Sequence, residues 1–132
     1  MVRVVLFAEG QSDEKFIKES ISPLFAASGL FLVPRLLKTS QNARGGAVTF
    51  DRLKLYARNT LREGSAPILS TFLDLYALDS DFPGYEEAKK KSDPYEKVAH
   101  LERELHQSIV QLAGCQAERF IPHIQPYEFE GL

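Results

Sequence analysis

Val2-Arg3-Val4-Val5-Leu6-Phe7-Ala8-Glu9-Gly10 is the stretch that decides the class of this chain. From Val2 to Ala8 it is a short apolar run without the alternation of a half-exposed strand, so it predicts a strand buried on both faces. Such strands belong to parallel sheets, and parallel partners are reached only through crossover connections. The next hundred or so residues supply them. Ser12 is placed to cap a helix whose apolar positions Phe16, Ile17, Ile21, Leu24 and Phe25 recur at helical spacing until Gly29. Residues 30–37 read as a second strand, with Pro34 suited to an edge or a bulge. Thr49 caps a second helix built on Phe50, Leu53, Ala57 and Leu61 and stopped by Gly64. Residues 67–75 form a third strand and residues 76–91 a long loop. Ser92 or Asp93, ahead of Pro94, opens a third helix on Val98, Leu101, Leu105, Ile109 and Leu112, closed by Gly114. Residues 120–124 are a fourth strand. The order βαβαβαβ predicts an α/β fold, with a mainly parallel four-stranded sheet and helices on both faces.

Composition agrees with this reading. A length of 132 residues is the size of one domain, taken here as residues 1–132, and 44% apolar content is that of an ordinary folded chain. The single cysteine, Cys115, excludes a disulfide scaffold. No apolar run approaches the ~20 residues that span a bilayer, and the opening run is too short for a signal peptide, so the expectation is a cytoplasmic protein with no membrane partner. The net charge of −2 hides an asymmetry: residues 1–66 hold ten Lys/Arg against six Asp/Glu, and residues 67–132 hold six against twelve. The basic excess concentrates in residues 34–63, where Arg35, Lys38, Arg44, Arg52, Lys54, Arg58 and Arg62 face only Asp51 and Glu63. A polyanion suits that region and a divalent cation suits the acidic stretch 74–87; solvated faces of both signs are the plain alternative.

In parallel α/β sheets ligands bind at the carboxyl ends of the strands. There the first strand ends at Glu9 and the third at Asp74, with Asp79 and Asp81 following, and the fourth runs on to Glu128 and Glu130. Asp13, four residues after Glu9, is placed to turn back to the same rim, or simply to favour a helix N-terminus. Carboxylates gathered this way raise one another's pKa unless a cation neutralises them, and oxygen-only ligands suit Mg²⁺ or Mn²⁺. Loop acids in water and helix caps remain the competing account. Neither phosphate-cradling glycine motif is present. Arg44-Gly45-Gly46 reads as a loop with a candidate phosphate contact. His100, His106 and His123 lack ligand spacing and read as surface or packing residues, and Cys115 has no histidine partner to make it a nucleophile.

These same residues resemble a known family. The segment from Val5 to Phe16 is similar to the "VEG-x-T-[DE]-x-x-F" opening of Toprim-like proteins. Phe72-Leu73-Asp74-Leu75-Tyr76-Ala77-Leu78, followed by Asp81-Phe82-Pro83-Gly84, resembles the "D-L-Y-G-L … D-F-P-G" segment of the DUF4276 family. Residues 120–130 resemble its "F-I-P-Y-I-Q-x-H-E-F-E" segment. The resemblance implies a Toprim-like fold, as in topoisomerases, primases and the nucleases of the overcoming-lysogenization-defect type. It matches Glu9 to the strand-one glutamate and Asp13 to a nuclease metal ligand. Asp74 matches the first acid of a D-x-D motif and Glu128-Phe129-Glu130 a later acid pair. Tyr76 stands where the second D-x-D acid belongs, a place that Asp79 or Asp81 would have to fill, and Tyr127 stands where a histidine is usual. Relatives continue beyond the last motif into a segment expected to carry a lysine, so the resemblance implies a C-terminally shortened member. It also implies a partner ATPase in some members and a setting in anti-phage defence.

The expectation is therefore a Mg²⁺- or Mn²⁺-dependent nuclease cleaving phosphodiester bonds in nucleic acid. Glu9 and Asp74 are its catalytic candidates; Glu9, Asp13, Asp74, Glu128 and Glu130 would hold metal, and Arg44, Arg52, Arg58 and Arg62 would meet phosphates. The alternative is a catalytically incomplete module of the same fold that binds nucleic acid or a partner ATPase. A small-molecule phosphohydrolase or nucleotide-binding protein is a third reading. Apolar surface left uncovered would favour a homo-oligomer.

Overall fold

The computed structural model describes residues 2–37 and 48–127, with Ser12 described by its backbone alone. Strand β1 (Val2–Ala8) pairs in parallel on one side with β2 (Leu30–Leu36) and on the other with β3 (Ile68–Asp74). β3 pairs further with β4 (Phe120–Ile121) and β5 (Ile124–Gln125), so the sheet runs β2-β1-β3-β4 with β5 continuing beside β3. All of these pairings are parallel, as the apolar opening run requires. Pro34 lies on β2, which among the described residues pairs with β1 alone, an edge position that suits its missing N–H.

The sequence expects one strand over residues 120–124; the structure divides it in two. Pro122 has no N–H to give β3, and the ladder breaks there. The buried Thr71 hydroxyl bridges the gap, accepting from the His123 N–H at 2.9 Å and donating to the His123 carbonyl at 2.8 Å. Glu102 completes the repair by accepting the Ile124 N–H at 2.8 Å.

Alternation along β1 separates the two faces of the sheet. Val5 and Phe7 join a core with Leu69, Leu73 and Phe120, closed by α3 (Phe50–Leu61) and α5 (Pro94–Ala113). Leu6 and Ala8 point the other way, to Phe72 and Ile17. Ile17 begins a π-helical turn (Ile17–Ile21) between α1 (Gln11–Phe16) and α2 (Ser22–Ala26). Pro23 in α2 cannot donate to the preceding turn and its ring needs room there, which the wider turn provides. The extra residue of that turn rotates α2 by about 100° relative to a continuous α-helix. Leu24 and Phe25, expected on the buried stripe, are accordingly 73% and 41% exposed. This thinner cover leaves an apolar groove of about 460 Å³ over Leu6, Leu32, Phe72 and Ile121.

Helix ends obey local chemistry, with two corrections. Thr49 caps α3 and Asp93 caps α5, with Pro94 first in the helix and Gly114 left-handed at its end. Gly10 rather than Ser12 precedes α1, because the helix starts two residues earlier than a Ser12 cap would place it, at Gln11. The expected loop 76–91 contains α4 (Tyr85–Lys89), entered through Gly84 at φ +79°. A Cβ on Gly84 would lie 2.8 Å from the Glu104 side chain, so glycine lets α4 approach α5. Leu112, expected in the α5 stripe, is 38% exposed, and Ala113 faces the core instead. No helix among the described residues is long and apolar enough to cross a membrane.

Candidate active site at the carboxyl end of the sheet

Parallel pairing of Ala8 with Phe72 carries the chain after β1 alongside the end of β3. Glu9 there turns its carboxylate across the strand gap, and its Oε1 accepts the backbone N–H of Asp74 at 3.0 Å. α1 then begins at once, so Asp13 sits in its first turn, 9% exposed, above the same rim. Burial pushes the Glu9 carboxyl up from an ordinary 4.5 to about 7. The Asp74 N–H works against that rise, and the charges of Asp74 and Asp13 add to it. Glu9, Asp13 and Asp74 are thus electrostatic neighbours drawn from two strands and a helix, and Glu9 is half-protonated near neutral pH.

The donor set suits a hard divalent cation, since every group is a carboxylate and their mutual repulsion is what a cation would relieve. Among the described residues, however, no three Asp, Glu, His or Cys side chains are gathered closely enough to hold a metal ion. Glu128 and Glu130, the expected remaining ligands, lie outside the described residues, as does Arg44 with its Gly45-Gly46 loop.

Asp79 and Asp81, the candidates for the place of the second D-x-D acid, both accept backbone N–H groups. Both Asp81 oxygens are taken by the first turn of α3, from the Phe50 N–H at 2.8 Å and the Asp51 N–H at 3.0 Å. Asp79 accepts the N–H of Ser80 at 2.9 Å. Two of the expected phosphate contacts, Arg52 and Arg58, are on α3, which descends from the rim to the opposite end of the sheet, and Arg62 follows at its end. Arg52 lies near the rim in a shallow cleft with Thr49, Tyr56, Asn59 and Asp81. Arg58 stands further down, and Arg62 donates to the Leu112 carbonyl at 3.5 Å near the C-terminus of α5.

Other polar residues that the sequence did not single out have structural tasks. Arg119 donates to the carbonyls of Leu61 and Pro67 at 3.0 and 2.8 Å, tying the end of α3 to the start of β3. Two of the histidines pack on rings: His106 stacks on Phe120 and reaches the Ala117 carbonyl, and His123 stacks on Phe72. An arginine whose partners are some 50 residues away leaves no local signal.

A family model described as "Domain of unknown function (DUF4276)" matches residues 8–132, a span that includes Glu9, Asp13 and Asp74. No curated protein and no solved structure matches the chain.

Proposed function

The chain belongs to the DUF4276 family, and from that premise we propose that it is a Toprim-like, divalent-metal-dependent nuclease acting on phosphodiester bonds. The observation that carries this reading is the Glu9 carboxylate, set between Asp13 and Asp74 at the carboxyl end of adjacent parallel strands and raised to about 7. Glu9, Asp13 and Asp74 would hold Mg²⁺ or Mn²⁺, with Glu128 and Glu130 completing the set. A bound ion would supply charge for the developing phosphorane oxygens and acidify a water.

The chain's own groups have separable tasks in this reading. Glu9, poised near neutrality, takes or returns a proton at its free oxygen while the other stays on the Asp74 N–H. Asp74 and Asp13 keep the rim negative, which disfavours an anion until a cation is present. Arg52, nearest the rim, meets a backbone phosphate. Wild-type protein should cleave labelled DNA or RNA when Mg²⁺ or Mn²⁺ is added and stop when it is chelated. Glu9→Gln should lose about 100-fold or more of that rate. Equal cleavage by wild type and Glu9→Gln removes the reading.

One observation favours a second reading, a catalytically incomplete module that binds nucleic acid or a partner ATPase. The described carboxylates do not by themselves gather into a set of three ligands. Calorimetry decides between the two: no heat on adding Mn²⁺, with salt-sensitive oligonucleotide binding retained, selects the module.

A further inference from the structure

Two strands of the sheet end side by side, each two residues short of a tyrosine. Asp74, at the end of β3, pairs in register with Gln125 of β5. Two residues beyond each of these comes a tyrosine, Tyr76 on one chain segment and Tyr127 on the other. At about 3.5 Å per residue, neither Cα lies more than about 7 Å from its member of that pair. The first turn of α5 brings in Tyr95, whose ring meets Tyr127 edge to face, with centroids 5.8 Å apart and planes at 80°. The Tyr127 phenol is held above its usual range by Tyr95 first, and Asp93 and Tyr76 lie close enough to add to the effect.

All three rings remain in water: Tyr76 is 61% exposed, Tyr95 59% and Tyr127 46%. Scattered exposed aromatics need no explanation, but three together beside a strand-end carboxylate form a surface with a use. Beside them Tyr76 and Tyr85 line a small cleft of about 130 Å³ together with Lys89 and Lys97. Neither lysine has a carboxylate partner among the described residues. Flat faces next to unpaired ammonium groups match a ligand that offers flat faces and phosphates in succession. In a duplex the base faces are stacked on one another and cannot be offered; in a single strand they can.

We propose that Tyr76, Tyr95 and Tyr127 form a stacking platform for the unpaired bases of single-stranded nucleic acid, with Lys89 and Lys97 on its phosphates. The inference rests on the proposed nuclease function in taking nucleic acid as the ligand. It adds that the strand presented to Glu9 and Asp74 is unpaired. Tyr76, standing where the second acid of a D-x-D motif would be, then has a task of its own.

The test is the affinity of the full chain, in EDTA to prevent cleavage, for a labelled 12-nucleotide single strand and for the corresponding duplex, in DNA and RNA. The single strand should bind about ten-fold or more tightly than the duplex. Tyr76→Ala and Tyr127→Ala should each weaken it by roughly 5- to 100-fold, and the Phe variants should retain it. The chain has five tyrosines and no tryptophan, so quenching of tyrosine emission on binding reports the stacking directly. Equal affinity for duplex, undiminished binding by both Ala variants, or no oligonucleotide binding overturns the platform. The two proposals fail separately. Glu9-dependent cleavage that both Ala variants perform with wild-type KM keeps the nuclease and removes the platform. Tyrosine-dependent single-strand binding without metal-dependent cleavage keeps the platform and removes the nuclease.

Discussion

At Glu9 the folded chain holds a carboxyl near 7 where the unfolded chain has one near 4.5, so folding takes up a proton between those values. The sign is then fixed: stability is greatest below about pH 4.5 as far as this group is concerned, and falls as pH rises through 7, because the folded state must then carry the charge it has buried. Glutamine keeps the oxygen that accepts the Asp74 N–H and removes the charge. Glu9→Gln should therefore match wild type in urea denaturation at pH 4 and exceed it at pH 8. The expected gain is roughly 1–3 kcal/mol, its lower end allowing for partial exposure to water. A variant less stable than wild type at pH 8 would show that Glu9's ionised form is favoured by contacts that outweigh its burial. That Glu9 and Asp74 meet was legible in the sequence, because two parallel strands with consecutive crossovers must end on one rim. The protonation of Glu9 was legible only in direction, since it depends on how deeply the strand end is covered.

Among the elements, α3 owes its start to two acceptors of different origin. Thr49, adjacent in sequence, takes the Arg52 N–H at 3.3 Å, and Asp81, some 30 residues away, takes the N–H groups of Phe50 and Asp51. Thr49→Ala should cost about 1 kcal/mol. Asp81→Ala should cost roughly 1–3 kcal/mol, since it strands two helix-terminal donors and removes a negative charge from the positive end of the dipole. If Asp81 is only a helix anchor, Mn²⁺ affinity measured by calorimetry stays unchanged in that variant; a matching loss of metal binding would make it a ligand. The contrast shows where sequence reading works. Thr49, Asp93-Pro94 and Gly114 were readable because a cap and its helix are neighbours in the chain. The Asp81 cap left no such signal because its partners are some 30 residues away. The π-turn and the split of the last strand carried local signals, Pro23 and Pro122, but their effect depends on what lies across the fold: the sheet face under Ile17 and the Thr71 hydroxyl.

Across the whole molecule, the direction of α3 sorts the arginines that composition alone treats as one basic patch. The helix starts beside the rim, where Asp81 meets Phe50, and descends at about 1.5 Å per residue, so Arg62 lies about 15 Å below Arg52. Its guanidinium meets the Leu112 carbonyl near the far end of α5. A strand lying across Glu9 and the tyrosines passes Arg52; to reach Arg62 it would have to turn down the flank of the helix by about two phosphate spacings. Arg52→Ala should therefore weaken oligonucleotide binding and reduce the slope of log affinity against log salt by about 0.7–0.9, the share of one phosphate contact. Arg62→Ala should leave the slope alone and instead loosen the α3–α5 contact, at a cost of about 1 kcal/mol in denaturation. Fluorescence anisotropy at several salt concentrations separates the two effects. Equal losses of slope from both variants would mean that the ligand tracks the whole length of α3, and that the basic stretch acts as one track rather than as one contact at the rim.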